Sequence, residues 1–118
     1  SGKPTRSFCY ITDAIIGYLK ALSYPKYEIF NIGNDKDEIS VLSLAKLYKK
    51  LGQKYINYTS QIIYKKNADK NYLTDNPNRR CPNIKKAKKL LKFSPKISIK
   101  EGIKRYLFYL KNNFIKKH

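Results

Sequence analysis

The sequence predicts an α/β (α+β) fold with about four helices and three short strands in one domain, residues 1–118. Apolar residues recur at helical spacing in four segments, and large side chains alternate between two faces in shorter runs. Residues that cap helices or form turns separate these segments. A chain of 118 residues is large enough for one modest core.

Three runs predict strands. Residues 6–11 alternate large side chains on two faces, residues 27–32 form a second extended run that ends at Gly33, and residues 61–64 form a third. Residues 65–82 are polar and contain prolines, which predicts a long loop. Loops of that length in compact domains often carry function.

Four helices are predicted from their caps and apolar stripes. Candidate N-terminal caps precede each of them: Thr12 or Asp13, Ser40, Asn83, and Ser98 with Glu101 as a capping box. Pro25 closes the first helical segment, and Gly52 marks the predicted C-terminal end of the second. The fourth is predicted to run to about Phe114. Apolar faces without a partner in so small a chain suggest docking onto structure outside it.

The net charge of +18 is the most pronounced compositional feature. Such a field attracts polyanions, but the lysines are scattered through every segment, as on a solvated lysine-rich surface. No apolar run approaches the ~20 residues that span a bilayer. Cys9 and Cys81 lack metal-ligand spacing, which indicates two free thiols in a cytoplasmic protein and no bound metal.

Familiar catalytic patterns are missing from the sequence. The five glycines are too dispersed for a dinucleotide or P-loop fingerprint, and the single histidine is the terminal His118. None of the eleven tyrosines has a lysine four positions later, so a Tyr/Lys proton-transfer pair is absent. We therefore expect no complete catalytic set in this chain, with Arg80 as an auxiliary group at most.

Arginine is rare in this lysine-rich chain and is found near two candidate anion-binding segments. The first is residues 1–6, with Lys3 and Arg6, and the second is residues 75–82, with Arg79 and Arg80. A guanidinium group matches a diphosphate or carboxylate at two points, and lysine does not replace it equally. These segments therefore predict anion binding, against the alternative that their arginines anchor loops.

Five blocks of sequence resemble extended short-chain dehydrogenase/reductases, the NAD-dependent epimerase/dehydratase family of sugar-nucleotide enzymes. They are GKPTRSFCYITDAI (2–15), FNIGN with EISVLSL (30–44), DNPNRRCPNIKKAK (75–88), LKFSP (91–95) and IKEGI (99–103). The blocks follow the family's order and spacing in its C-terminal, substrate-binding lobe, and UDP-glucuronate decarboxylase-like members are the nearest pattern. Asn83 stands where the family has Asp, and Lys92 where it has Gly.

The resemblance implies roles for particular residues. Arg6 falls on the arginine that contacts the nucleotide diphosphate, and Arg80 on one that reaches the substrate and, in the decarboxylases, lies near the sugar carboxylate. Asp75 falls near the ribose. The loop around the nucleotide would contain Gly2, Lys3 and Thr5. In such enzymes a separate Rossmann half binds NAD and carries the Tyr/Lys pair, so no cofactor is expected in this part.

Several alternatives stay open on the sequence. The parent enzyme could decarboxylate (a lyase), dehydrate or epimerise (an isomerase) a nucleotide-diphosphate sugar, and this part alone would not be competent. Its partners would be that sugar nucleotide and the Rossmann half, with a homodimer open. A small basic nucleic-acid-binding module is the alternative from another class, and it predicts steep salt dependence of binding. The chain could also be a truncated protein that stands alone.

Overall fold

The computed structural model describes residues 2–64 and 77–114. Four helices lie in these ranges: α1 (Ile11–Leu22), α2 (Val41–Ile56), α3 (Lys85–Leu91) and α4 (Ile99–Asn113). Three short strands, β1 (Thr5–Ser7), β2 (Glu38–Ser40) and β3 (Arg79–Arg80), form one sheet in the order β2-β1-β3. The predicted α/β class, with about four helices and three short strands, is confirmed.

Two of the three strand predictions were wrong in position. Residues 27–32 and 61–64 form no strand. Strand β3 lies in the predicted loop 65–82, and β2 lies directly before α2, where no strand was predicted. Alternation of side chains between two faces indicates an extended, half-exposed backbone, whereas a strand also needs hydrogen bonds to a second backbone beside it. Tyr27 is 96% exposed and Ile29 is 75% exposed, so this run has the alternation without a partner in the described residues.

Side-chain caps begin two helices as predicted. The Ser40 hydroxyl accepts a hydrogen bond from the Ser43 amide at 3.1 Å, which satisfies one free amide at the start of α2. The Ser98 hydroxyl accepts from the Glu101 amide at 3.2 Å at the start of α4. These local signals identified both helix starts because each depends on residues three apart in sequence.

The start of α1 and the end of α2 differ from the prediction. Helix α2 continues through Gly52 to Ile56, and Asn57 ends it in the left-handed conformation with φ of 53°. Asparagine tolerates that conformation better than most residues, which explains the later stop. Asp13 does not cap α1 but is 4% exposed, and its carboxylate accepts the amides of Lys96 and Ile97 at 2.9 and 2.8 Å.

The chain divides into two compact units. The first unit comprises Ser1–Arg6, Ile39–Arg80 and Ile103–His118. Its buried apolar residues are Leu51, Ile103 and Leu107, and the rings of Tyr55 and Phe108 lie 5.5 Å apart. The amphipathic patterns of α2 and of the latter part of α4 therefore supply its core.

The second unit comprises Ser7–Glu38 and Cys81–Gly102. Its core consists of Ile84, Ala87, Leu91 and Phe93. Gly17 lets α1 approach this core closely, because a β-carbon there would lie 2.4 Å from Ile32 Cγ2 and 3.0 Å from the Phe93 ring. A methyl group at position 17 would therefore force the core apart.

The predicted apolar stripe of α1 is largely exposed. Its predicted members, Ile15, Ile16, Leu19 and Leu22, are each between 46% and 84% accessible. Among the described residues this face is therefore left largely uncovered, in line with the expectation of exposed apolar faces. Across residues 2–64 and 77–114, no helix has the length and hydropathy needed to cross a membrane.

Candidate functional site

The two arginine-containing segments meet in the sheet of the first unit. Strands β1 and β3 pair in parallel, with Thr5 opposite Arg79 and Arg6 opposite Arg80. The Thr5 amide also donates to the Asn78 carbonyl oxygen at 2.8 Å. Residues 74 positions apart in sequence, Arg6 and Arg80, are therefore direct neighbours across two strands.

This register places Arg6 and Arg80 on the same face of the sheet. Paired residues on adjacent strands project to the same side, and neighbouring strands lie about 4.8 Å apart. Arg79 lies one residue before Arg80 and thus belongs to the opposite face. Of the three arginines in the two predicted segments, the structure brings these two together and separates the third.

The loop before β1 is held by the first turn of α2. The Val41 amide donates to the Pro4 carbonyl at 3.1 Å, and the Leu42 amide donates to the Gly2 carbonyl at 3.0 Å. Gly2 has φ of 64°, and a β-carbon there would lie 2.9 Å from Leu42 Cβ. Glycine at position 2 therefore serves both the left-handed backbone and the close approach to α2.

The anchoring of this loop by α2 was not predicted from the sequence. The Ser40 cap located the helix start, but the carbonyls that accept from its first amides lie almost forty residues earlier. The free amides of a helix start need acceptors, and those of Val41 and Leu42 find theirs in Pro4 and Gly2. The only available signal was the glycine at position 2, which is compatible with such a close approach.

The pairing brings two guanidinium groups together on one face of the sheet. Arg6 is half-buried, and its Nη1 donates to the carbonyl oxygen of the preceding residue, Thr5, at 2.7 Å. Arg80 and Lys3 are exposed. Two guanidinium groups on one face can donate together to a single anionic group.

The predicted site residues thus have different outcomes. Gly2, Thr5, Arg6 and Arg80 lie on β1, β3 and the loop that leads into β1, and Lys3 lies exposed on that loop. Asp75 lies outside the described residues. The predicted roles of all six remain predictions, and the structure supplies their geometry.

No acid–base catalyst emerges among the groups with shifted pKa values. Burial, with a smaller effect of Asp13, raises the pKa of the Cys9 thiol, and burial followed by Tyr106 raises the pKa of Tyr48. Both shifts keep the group protonated at neutral pH, which does not favour a base. Within the described part of the chain, no cluster of three or more His, Cys, Asp or Glu side chains suited to a metal ion occurs.

The glycines do not fit a dinucleotide cofactor. Gly33 packs against Pro82, and Gly52 lies beside Tyr58. Gly102, which lies in α4, packs against the ring of Tyr10. A side chain of the same unit fills the space beside each of these glycines, and Ile32 does the same beside Gly17. None of the four therefore leaves room for phosphate groups. These four glycines therefore serve packing within their own units rather than contact with a dinucleotide.

The first unit also contains an apolar cavity of about 720 Å³. It lies between α2, the second half of α4 and residues 58–63, with Leu44, Tyr48 and Leu110 among its lining. Neither Arg6 nor Arg80 lines it. The cavity is therefore separate from the paired arginines and offers little to a charged ligand.

Comparison with known proteins gives consistent matches over almost all of the chain. UDP-glucuronic acid decarboxylase 1 of Arabidopsis thaliana is 34% identical over 97% of this chain and 24% of its own length. UDP-glucuronate 4-epimerase of Thermodesulfobacterium geofontis is 33% identical over 95% of this chain and 32% of its own. No family model matches the sequence.

A solved structure agrees with the sequence matches. The structure of UDP-glucuronic acid 4-epimerase of Bacillus cereus in complex with UDP-glucuronic acid and NAD is 28% identical in sequence and superposes with a TM-score of 0.76. The match covers 97% of this chain and 34% of the epimerase chain. The chain spans about a quarter to a third of the length of the relatives that it matches. The resemblance is thus confirmed in sequence and in fold: the chain corresponds to a C-terminal portion of the NAD-dependent epimerase/dehydratase family, the extended short-chain dehydrogenase/reductases.

Proposed function

We propose that this chain holds the nucleotide sugar of an NAD-dependent enzyme that acts on UDP-sugars, with UDP-glucuronate as the preferred substrate. In this proposal Arg6 binds the diphosphate, and Arg80 binds beside it toward the sugar and its carboxylate. NAD and the proton-transfer groups would belong to the remainder of a longer enzyme, so the chain alone would bind without turnover.

The direct pairing of Arg6 with Arg80 is the observation that carries the proposal. A nucleoside diphosphate linked to a glucuronate has adjacent anionic groups, and two guanidinium groups on one sheet face offer paired donors to them. Similarity to a decarboxylase and an epimerase whose names specify UDP-glucuronate supports this choice of sugar nucleotide.

The binding loop is suited to a nucleotide by its local geometry. Backbone hydrogen bonds to α2 fix the loop at Gly2 and Pro4, and the exposed Lys3 adds a positive charge between them. A preorganised loop loses less conformational entropy when it binds a ligand. The proposal therefore places the nucleotide along residues 2–6, with Thr5 beside the diphosphate.

Calorimetric titration of the 118-residue chain with UDP, UDP-glucose and UDP-glucuronate tests the proposal. We expect saturable binding of all three, with UDP-glucuronate tightest. Arg6→Lys should weaken all three alike by about tenfold, because a charge-assisted hydrogen bond contributes about 1.5–3 kcal/mol and lysine retains part of it. Arg80→Lys should weaken UDP-glucuronate more than UDP-glucose.

Arg105→Lys is the matched control, because it makes the same change on α4 outside the paired strands. Equal effects of Arg80→Lys and Arg105→Lys would contradict the assigned role of Arg80. No saturable binding of UDP by the unaltered chain would contradict the proposed function. Tight RNA binding with a steep salt dependence would instead favour a nucleic-acid-binding module.

A further inference from the structure

Gly33 is a glycine for reasons of space rather than backbone conformation. Among the glycines of the chain, Gly2 alone has a positive φ, so the backbone at position 33 is one that any residue can adopt. Gly33 is nevertheless buried, and a β-carbon there would lie 2.8 Å from Pro82 Cγ. Contacts this short are essentially never seen for a β-carbon, so an alanine would displace the proline ring.

Pro82 follows closely after the proposed binding residue Arg80. Residues 81–83 are held against the turn at 31–35 by further contacts: Asn31 Nδ2 donates to the Asn83 carbonyl at 3.3 Å, and the Cys81 thiol lies 4.0 Å from the Asp35 carbonyl. The residue before a proline is restricted to extended backbone, so Cys81 continues the direction of β3. Displacement of the Pro82 ring would therefore be transmitted to the end of β3 through only two peptide bonds.

We propose that Gly33 is a positioning residue for Arg80: by leaving space for the Pro82 ring, it fixes the end of β3 and hence the direction of the Arg80 guanidinium group. This inference rests on the proposed function, because it concerns the same bound UDP-sugar. Gly33 does not touch the ligand in this proposal and acts only through the contact with Pro82.

Gly33→Ala, Pro82→Ala and the double variant test the proposal by UDP-glucuronate titration. Gly33→Ala should weaken binding by about tenfold, because a displaced Arg80 loses a charge-assisted hydrogen bond to the ligand. Pro82→Ala should weaken binding about twofold by loosening the chain. In the double variant, the new β-carbon at 33 faces only the β-carbon at 82, at an ordinary 3.5 Å. Affinity should then return to that of Pro82→Ala.

This recovery separates positioning from simple loss of stability. Two independent destabilising changes would add, so the double variant would bind no better than Gly33→Ala. Gly102→Ala is the matched control, because its β-carbon would also be crowded, at 3.0 Å from the Tyr10 ring, but lies far along the chain from Arg80. Gly102→Ala should leave the Kd for UDP-glucuronate within twofold, whichever way it changes the melting temperature.

Two failures remain distinguishable. If the unaltered chain binds no UDP-glucuronate, the proposed function fails. If it binds and Arg80→Lys weakens binding, but Gly33→Ala leaves the Kd unchanged or the double variant shows no recovery, the positioning role of Gly33 is overturned while the proposed function stands.

Discussion

Replacement of Lys92 by glycine should stabilise the protein. Lys92 ends α3 in the left-handed conformation, with φ of 50° and ψ of 36°. That conformation costs a residue with a β-carbon about 1–2 kcal/mol, whereas glycine adopts it freely. Glycine also raises the conformational entropy of the unfolded chain, which offsets about 0.4–1 kcal/mol of this gain and leaves a net stabilisation of about 0.5–1 kcal/mol. The sequence resemblance is consistent with this, because the family has glycine at this position.

The surrounding contacts should survive the change. Lys20 Nζ donates to the carbonyls of Leu91 and Lys92 at 3.2 and 2.9 Å, and the Phe93 amide donates to the Ala87 carbonyl at 3.2 Å. The Lys20 ammonium and four backbone groups form these three hydrogen bonds, so glycine at position 92 retains all of them.

Thermal and urea unfolding followed by circular dichroism measure the effect. Lys92→Gly should raise the melting temperature by about 2–4 °C for a chain of this length. Lys92→Ala is the control, because it removes the same charge from a highly positive chain but keeps the β-carbon. If Lys92→Gly is no more stable than Lys92→Ala, left-handed strain at position 92 is refuted as the cause.

Three further changes test the fold. Asp13→Ala should lower the unfolding free energy by about 2–4 kcal/mol, because the backbone amides of Lys96 and Ile97 lose their buried acceptor, and Asp13→Asn should lower it less; urea titration compares them. Gly52→Ala should raise the free energy of unfolding, measured by calorimetry, by about 0.5–1 kcal/mol. Position 52 lies inside α2, and the new methyl group would lie at an ordinary 3.5 Å from Tyr58. The Lys86 ammonium, by hydrogen bond and charge, lowers the pKa of Glu28. This ion pair should stabilise the protein fully above the ordinary pKa of a glutamate, and the stabilisation should fade as pH falls through the lowered pKa of Glu28. Glu28→Gln should therefore flatten that part of the curve of stability against pH.

Local sequence signals predicted the helices better than the strands. The caps at Ser40 and Ser98 were predicted from residues three apart, and the structure has both. The strand predictions at 27–32 and 61–64 were wrong, because β2 and β3 owe their existence to hydrogen bonding with β1 rather than to their own alternation. Two-residue and three-residue strands carry too few side chains for a detectable period.

The candidate site was predictable only in part. Motif order pointed to Arg6 and Arg80, and the chemistry of guanidinium groups pointed to an anion. Their adjacency depends on the parallel register of β1 and β3, which is fixed by hydrogen bonds between residues more than seventy positions apart. The reason for Gly33 was equally hidden, because the sequence does not show which side chain fills the space beside a glycine.

The most direct test of the paired-arginine site is the response of individual guanidinium groups to ligand. Side-chain Nε–H resonances of the 118-residue chain should be recorded in NMR spectra during titration with UDP-glucuronate, and with uridine as the uncharged comparison. We expect the resonances of both Arg6 and Arg80 to shift in parallel and to saturate at one shared ligand concentration, with Arg105 and the uridine titration unchanged. Saturation of Arg6 and Arg80 at different concentrations, or a shift in one without the other, would contradict a single shared site.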